Sequence, residues 1–288
     1  MFIRIFAPIK WLLALINNYF KSFVFLLILY LIFSSNVDEG SFERANLARI
    51  DIHGAIMEAD KILGEIQKAK EDEDIKGVLL HVDSPGGALA PSVEISYAIK
   101  ELQKSKPVVA YGAGTMASGS YYASIWSDKI YANPGAFIGS IGVIFQSYNV
   151  EDLAKKIGIK EQTIKAGRFK EAGTFMREWS EDERKSLKTL IDNSYDLFVN
   201  DVAKARDLNI SDKEKFADAR VFLAKNAQKE KLIDHVGILW NAQNELIKLS
   251  KVKKAKWKKK DKFDRFLEEF TNESAKGFIK IFYGLKAY

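Results

Sequence analysis

Apolar and polar positions alternate along short stretches of this chain, then regroup at helical spacing, and the switch recurs several times. Between Leu47 and Ile56, Ile50 and Ile52 alternate with Asp51 and His53, the pattern of a half-buried strand. Ala59, Ile62, Leu63 and Ile66 follow as one stripe of a helix. Val78-Leu79-Leu80-His81-Val82 predicts a second strand, closed by the turn residues Asp83-Ser84-Pro85-Gly86-Gly87. Ile95, Ala98, Ile99 and Leu102 give a second helix, and Val108–Tyr111 a third strand. That strand runs into Tyr111–Ser124, crowded with small residues, from which a helix starts near Gly119.

Further along, Lys129–Ala132 and the run Ile138–Phe145 predict strands, and Glu151–Gly158 a short helix. Ser180 and Glu183 have the spacing of a capping box. They open a long helix with Leu187, Ile191, Tyr195, Phe198 and Val202 on one face. Phe216–Phe222 and Leu232–Gly237 close the globular part. Strand and helix alternate throughout, so the class is α/β, with helices packed on a sheet.

The ends follow other patterns. Phe23–Phe33 is apolar without interruption, and reaching back to Trp11 gives the length of a bilayer span. No small-x-small cleavage site follows it, which favours an uncleaved signal anchor. Positive charge before the span and Asp38-Glu39 after it predict a cytoplasmic N-terminus, with the chain from residue 37 onward outside the cytosol. At the other end Phe263, Phe266, Leu267 and Phe270, then Phe278, Ile281, Phe282 and Leu285, fall at amphipathic spacing after a lysine-rich stretch. The expected organisation is an anchor over 1–36, a globular domain over 37–247, and a linker with an amphipathic tail over 248–288.

Composition narrows this further. The 288 residues are 47% hydrophobic, ample for a core. There is no cysteine, which excludes disulfides and thiol chemistry, and three histidines make a multi-histidine metal site unexpected. The net charge is +6, but residues 1–36 hold +3, residues 248–262 hold +8 and the last 26 balance. The body is therefore acidic by five charges, which argues against a nucleic-acid face and for a membrane surface near the ends.

Two serines, Ser118 and Ser120, stand at the strand-to-helix turn. A serine hydroxyl attacks only when a base takes its proton. His81, two residues before Asp83, is one candidate base; Lys170, beside Phe169 and close to Gly167, is the other. A lysine serves only if burial or a neighbouring cation lowers its pKa. Gly86-Gly87 can offer backbone N–H groups to an oxyanion, together with Gly119.

The ordered set of motifs resembles the signal peptide peptidase A family of membrane-anchored Ser-Lys proteases, in its short single-unit form. The motifs are Asp83–Gly87, Gly114–Ala123, Ile138–Val143, Ile164–Lys170, Phe216–Phe222 and Leu232–Gly237, and the likeness runs from about Ala48 to Ala242. It implies a crotonase-like fold, shared with the Clp protease subunit, built from repeated β-β-α turns. It implies Ser118 as nucleophile, Lys170 as general base, Gly87 and Gly119 N–H groups as oxyanion hole, and Ser140 orienting the lysine. It further implies peptide substrates such as signal-peptide remnants, no metal or cofactor, and a bowl-like homo-oligomer whose serine and lysine come from neighbouring subunits. This sequence departs from the family at Ser120, where glycine is usual, at Ala166, where serine is frequent, and in lacking a proline soon after Lys170. The rival readings are a catalytically inactive membrane scaffold of the same fold and a crotonase-type acyl-CoA enzyme.

Overall fold

A computed structural model describes residues 18–28, 30 and 44–258. The chain divides into two units, one of which is Arg44–Lys258. Of the other, the described residues 18–28 and 30 are helical, with exposed side chains. Among the described residues no helix is long and apolar enough to cross a membrane. Much of the expected Trp11–Phe33 span, and all of the tail 263–288, lies outside the described residues.

In Arg44–Lys258, β1 (Leu47–Ile56), β2 (Gly77–Gly87), β3 (Val108–Ala117) and β4 (Lys129–Ala132) lie side by side, all parallel, with β7 (His235–Val236) beyond β4. Helices α1 (Asp60–Glu71) and α2 (Leu89–Gln103) make the crossovers that parallel strands require. β2 is buried on both faces, which explains its unbroken apolar run. Val78, Leu80 and Val82 join the larger core with α1, α2, α3 (Gly119–Ser124) and α5 (Glu181–Arg206). Leu79 joins a smaller core with Val109, Tyr111 and Tyr131 under α8 (Leu239–Leu249). This is the α/β class expected, arranged as a mixed sheet with helices on both faces.

The third strand has a second neighbour. Its last residues, Thr115–Ala117, pair with the short β5 (Phe137–Gly139), and β5 pairs antiparallel with β6 (Val221–Leu223). The strand expected over Ile138–Phe145 therefore ends almost as it begins. Gly139 has φ 99° and Ser140 φ 51°, left-handed values that no strand continues through. Beyond it the chain crosses a long arm containing α4 (Glu151–Lys156) before α5 begins. The α5 cap forms as anticipated: Ser180 N–H donates to Glu183 Oε2 at 2.8 Å, and Glu183 N–H donates to Ser180 Oγ at 3.3 Å.

The lysine-rich stretch is in part structural. After α8 the chain returns to β1, where Asn46 and Leu47 N–H both donate to the Lys256 carbonyl at 2.8 and 3.1 Å. Lys258 N–H then donates to the Leu47 carbonyl at 2.7 Å. Trp257 and Val252 turn partly inward, whereas Lys251, Lys253, Lys254 and Lys258 stay exposed.

Candidate active site

Ser118 stands between β3 and α3 with φ 52° and ψ −123°. A non-glycine residue at that φ costs on the order of 1–3 kcal/mol, and its surroundings must hold it there. Here its N–H donates to the Gly139 carbonyl at 2.7 Å, and its carbonyl accepts from Tyr122 N–H at 2.9 Å. The helix behind it is pinned by two buried tyrosines. Tyr121 Oη donates to the Leu232 carbonyl at 2.7 Å, and Tyr122 Oη donates to Asp201 at 2.6 Å. The Tyr122 ring also stacks on Phe198 with centroids 4.4 Å apart. Burial raises both phenol pKa values, so they remain donors.

The glycine turn at the end of β2 closes against this serine. Ala88 N–H donates to the Ile56 carbonyl at 2.8 Å, so the preceding amide, Gly87 N–H, points away from β1. A Cβ on Gly86 would lie 2.5 Å from Gly119 N and 2.8 Å from Ser118 Cβ. A Cβ on Gly119 would lie 2.2 Å from Ser92 Oγ and 3.2 Å from Gly87 N. Only residues without side chains allow the two turns to approach this closely. The approach sets the Gly87 and Gly119 amides beside Ser118, an arrangement able to receive a developing oxyanion.

The two serines separate cleanly. Ser120 is fully buried, and its hydroxyl donates to the Ser84 carbonyl at 2.6 Å while accepting from Ala117 N–H at 2.9 Å. It ties the glycine turn to the end of β3. Ser118 is only half-buried. The Ser120 hydroxyl thus does in this chain what a bare glycine could not, and it is not available to attack.

Ser140 follows Gly139, the carbonyl that holds Ser118, and has nearly the same φ. The pairing of Ala117 with Gly139 sets both serines at neighbouring strand ends. His81 is removed from this group. It pairs with Tyr111, seven residues before Ser118, which is roughly 20 Å of strand at about 3.3 Å per residue. Asp83 accepts from Thr115 N–H at 2.9 Å, so the histidine-based alternative finds no geometry.

Lys170 lies on the arm, exposed, in a turn closed by its own N–H to the Gly167 carbonyl at 3.3 Å. Among the described residues no hydrogen bond joins it to Ser118 or Ser140. The arm is held by charge. Arg177 forks onto Glu183 at 2.8 and 2.9 Å and also reaches Glu171, next to Lys170, at 3.0 Å. Lys165 pairs with the same Glu171. The Arg177 hydrogen bond, aided by Ser180 N–H, holds the Glu183 carboxyl at about 2. Sequence reasoning missed this clamp, although the capping box had already singled out Glu183. The arm's apolar side chains are bare: Ile144, Phe145, Ile164, Phe169 and Phe175 are all exposed, Ile164 completely.

Residues 100–253 match the family model described as peptidase family S49. A candidate protease of Synechocystis sp. is 37% identical over 195 residues, 67% of this chain and 70% of that one. A candidate signal peptide peptidase SppA of Enterococcus faecium is 36% identical over 66% of this chain and 56% of its own. The chloroplastic serine protease SPPA of Arabidopsis thaliana is 31% identical over 66% of this chain and 28% of its own length, so the match spans only part of these relatives. A solved membrane-bound stomatin-specific protease overlays with a TM-score of 0.48 at 18% identity, covering 72% of this chain and 85% of its own. Matched by the family model over more than half its length, the chain belongs to peptidase family S49.

Proposed function

We propose that the protein is a serine endopeptidase in which Ser118 is the nucleophile and Lys170 the general base. The observation that carries this reading is the strained, half-exposed Ser118, set against the Gly87 and Gly119 amides with the neighbouring Ser120 buried. Neutral Lys170 takes the hydroxyl proton as Ser118 attacks the scissile carbonyl. The two amides stabilise the oxyanion, and the lysine passes its proton to the leaving amine. A water that gives its proton to Lys170 then attacks the acyl-enzyme and frees Ser118. Ser140 hydrogen-bonds the ammonium and orients it.

The base works only where it is desolvated, and Lys170 is exposed in the single chain. A second copy covering the bare arm would both desolvate it and bring it to a neighbour's serine. The apolar side chains around Lys170 support that homo-oligomer, with each active site shared between subunits. The substrates are short extended peptides such as signal-peptide remnants. The N-terminal anchor holds the catalytic domain on the extracytoplasmic side of the bacterial membrane that supplies them.

Ser118→Ala and Lys170→Ala are each expected to reduce peptide hydrolysis by at least about a thousandfold without loss of fold. Mixing the two inactive variants should restore part of the activity. Full turnover in Ser118→Ala would sink the assignment, and a confirmed mixed oligomer with no activity would reject the shared site.

A further inference from the structure

On the α8 face of the sheet, three side chains outside the catalytic group converge across β1 and β2. Asp51 pairs with His81 in the parallel register, and His53 is the next residue of β1 on the same face. The ligand atoms of Asp51, His53 and His81 all lie within 4.8 Å of one another. The two imidazoles meet edge to face, with centroids 5.5 Å apart. Two of the three histidines in the chain are thus side by side.

The details are those of a ligand set. Among the described residues His81 Nδ1 is buried without a hydrogen-bond partner, although Asp51 Oδ1 is 3.4 Å away. That separation is longer than the usual N–H to O hydrogen bond of about 2.7–3.2 Å. It is close to the edge of a tetrahedron built on zinc–ligand distances of about 2.0–2.2 Å, which is about 3.3–3.6 Å. The Asp51 and His81 side chains keep 11% and 13% exposure, so the site is shielded from one side. His53 is exposed, so a fourth position is open to water. Arg49 Nη2 and Nε both meet one oxygen, Asp51 Oδ1, at 2.7 and 2.8 Å, which orients the carboxylate. Two imidazoles and a carboxylate, without thiolate, suit Zn2+ rather than a hard cation such as Mg2+.

We infer that Asp51, His53 and His81 form a zinc site that pins β1 to β2. The ion has no part in peptide hydrolysis. It sits on the strands that run into the glycine turn: His53 pairs with Asp83, and the Gly54 carbonyl accepts from the Ser84 hydroxyl. Its effect is on the stability of that corner.

The test is equilibrium dialysis of the full chain, without a histidine tag, against Zn2+ near neutral pH. One zinc per chain is expected, with a zinc-dependent rise in melting temperature, since binding to the folded state alone stabilises it. His81→Ala and His53→Ala should each weaken binding at least about tenfold, and His235→Ala should leave it unchanged. His53 is exposed, so its variant reports on the site even if His81→Ala fails to fold. Absence of saturable zinc binding overturns the inference, as does binding that survives His53→Ala at full strength. Zinc uptake abolished by His235→Ala alone would overturn it too.

Discussion

The serine side and the lysine side of this molecule are built in opposite ways. Around Ser118 the turn residues are tied into the sheet, through the Gly139 carbonyl, the Ser120 hydroxyl and the stack of Tyr122 on Phe198. Around Lys170 the chain is an arm, its apolar side chains in solvent and its shape kept by Arg177 between Glu171 and Glu183. Packing and satisfied polar groups fix the first region. Charges at a surface hold the second, and they hold it more weakly. In the mechanism proposed above, the strained nucleophile has a rigid frame, whereas the base sits on a surface left for a partner copy to cover.

Substitutions separate the two designs. The largest effect is expected from Phe198→Ala, which empties a buried ring site beneath α3: about 3–5 kcal/mol of stability, read by urea unfolding. A loss below about 1 kcal/mol would mean that the serine side is not built on this stack. Ser120→Ala should leave Ser118 able to react with a serine-directed probe. It should nonetheless cost about 1–3 kcal/mol, because the Ala117 N–H loses its partner inside the core. Equal loss of labelling in Ser118→Ala and Ser120→Ala would erase the distinction between the serines.

Acid probes the arm. The Glu183 carboxyl lies below its ordinary value, so the stabilisation from its Arg177 pair is present above about 4.5 and fades as pH falls towards about 2. Limited proteolysis of the arm should accelerate over that window in the natural chain, and Glu183→Gln should flatten the change. The smallest effect on the single chain is expected from Phe169→Ala, within about 0.5 kcal/mol, because the ring is exposed. The same substitution should shift sedimentation profiles towards smaller species. An unfolding loss as large as that of Phe198→Ala would remove the contrast.

The two regions also differed in how far the sequence revealed them. β1 to β3 and their crossover helices follow regular periods, so Leu79, Val109 and Ile99 were legible as core. The Ser180–Glu183 box marked the start of α5 correctly. Ser118 could be singled out only by resemblance, because the features that distinguish it from Ser120, backbone strain and exposure, leave no mark in composition. In the arm only the short helix near Glu151 was legible, and the run Ile138–Phe145 looked like a strand because its apolar residues hide the two positive φ values that end it. The meeting of Asp51, His53 and His81 depends on the register between β1 and β2, which no single stretch encodes.

The strap at residues 252–258 has a practical meaning for anyone trimming the chain. β1 is the outermost strand of its parallel row, and an unpaired outer strand offers its amides to any other chain it meets. The Lys256 and Leu47 backbone bonds close the beginning of that edge, and the exposed lysines beside them discourage a foreign strand from stacking there. A product stopped where α8 ends would keep its full catalytic sheet yet lose this guard. Clumping in such a sample would report on the missing strap and not on the enzyme.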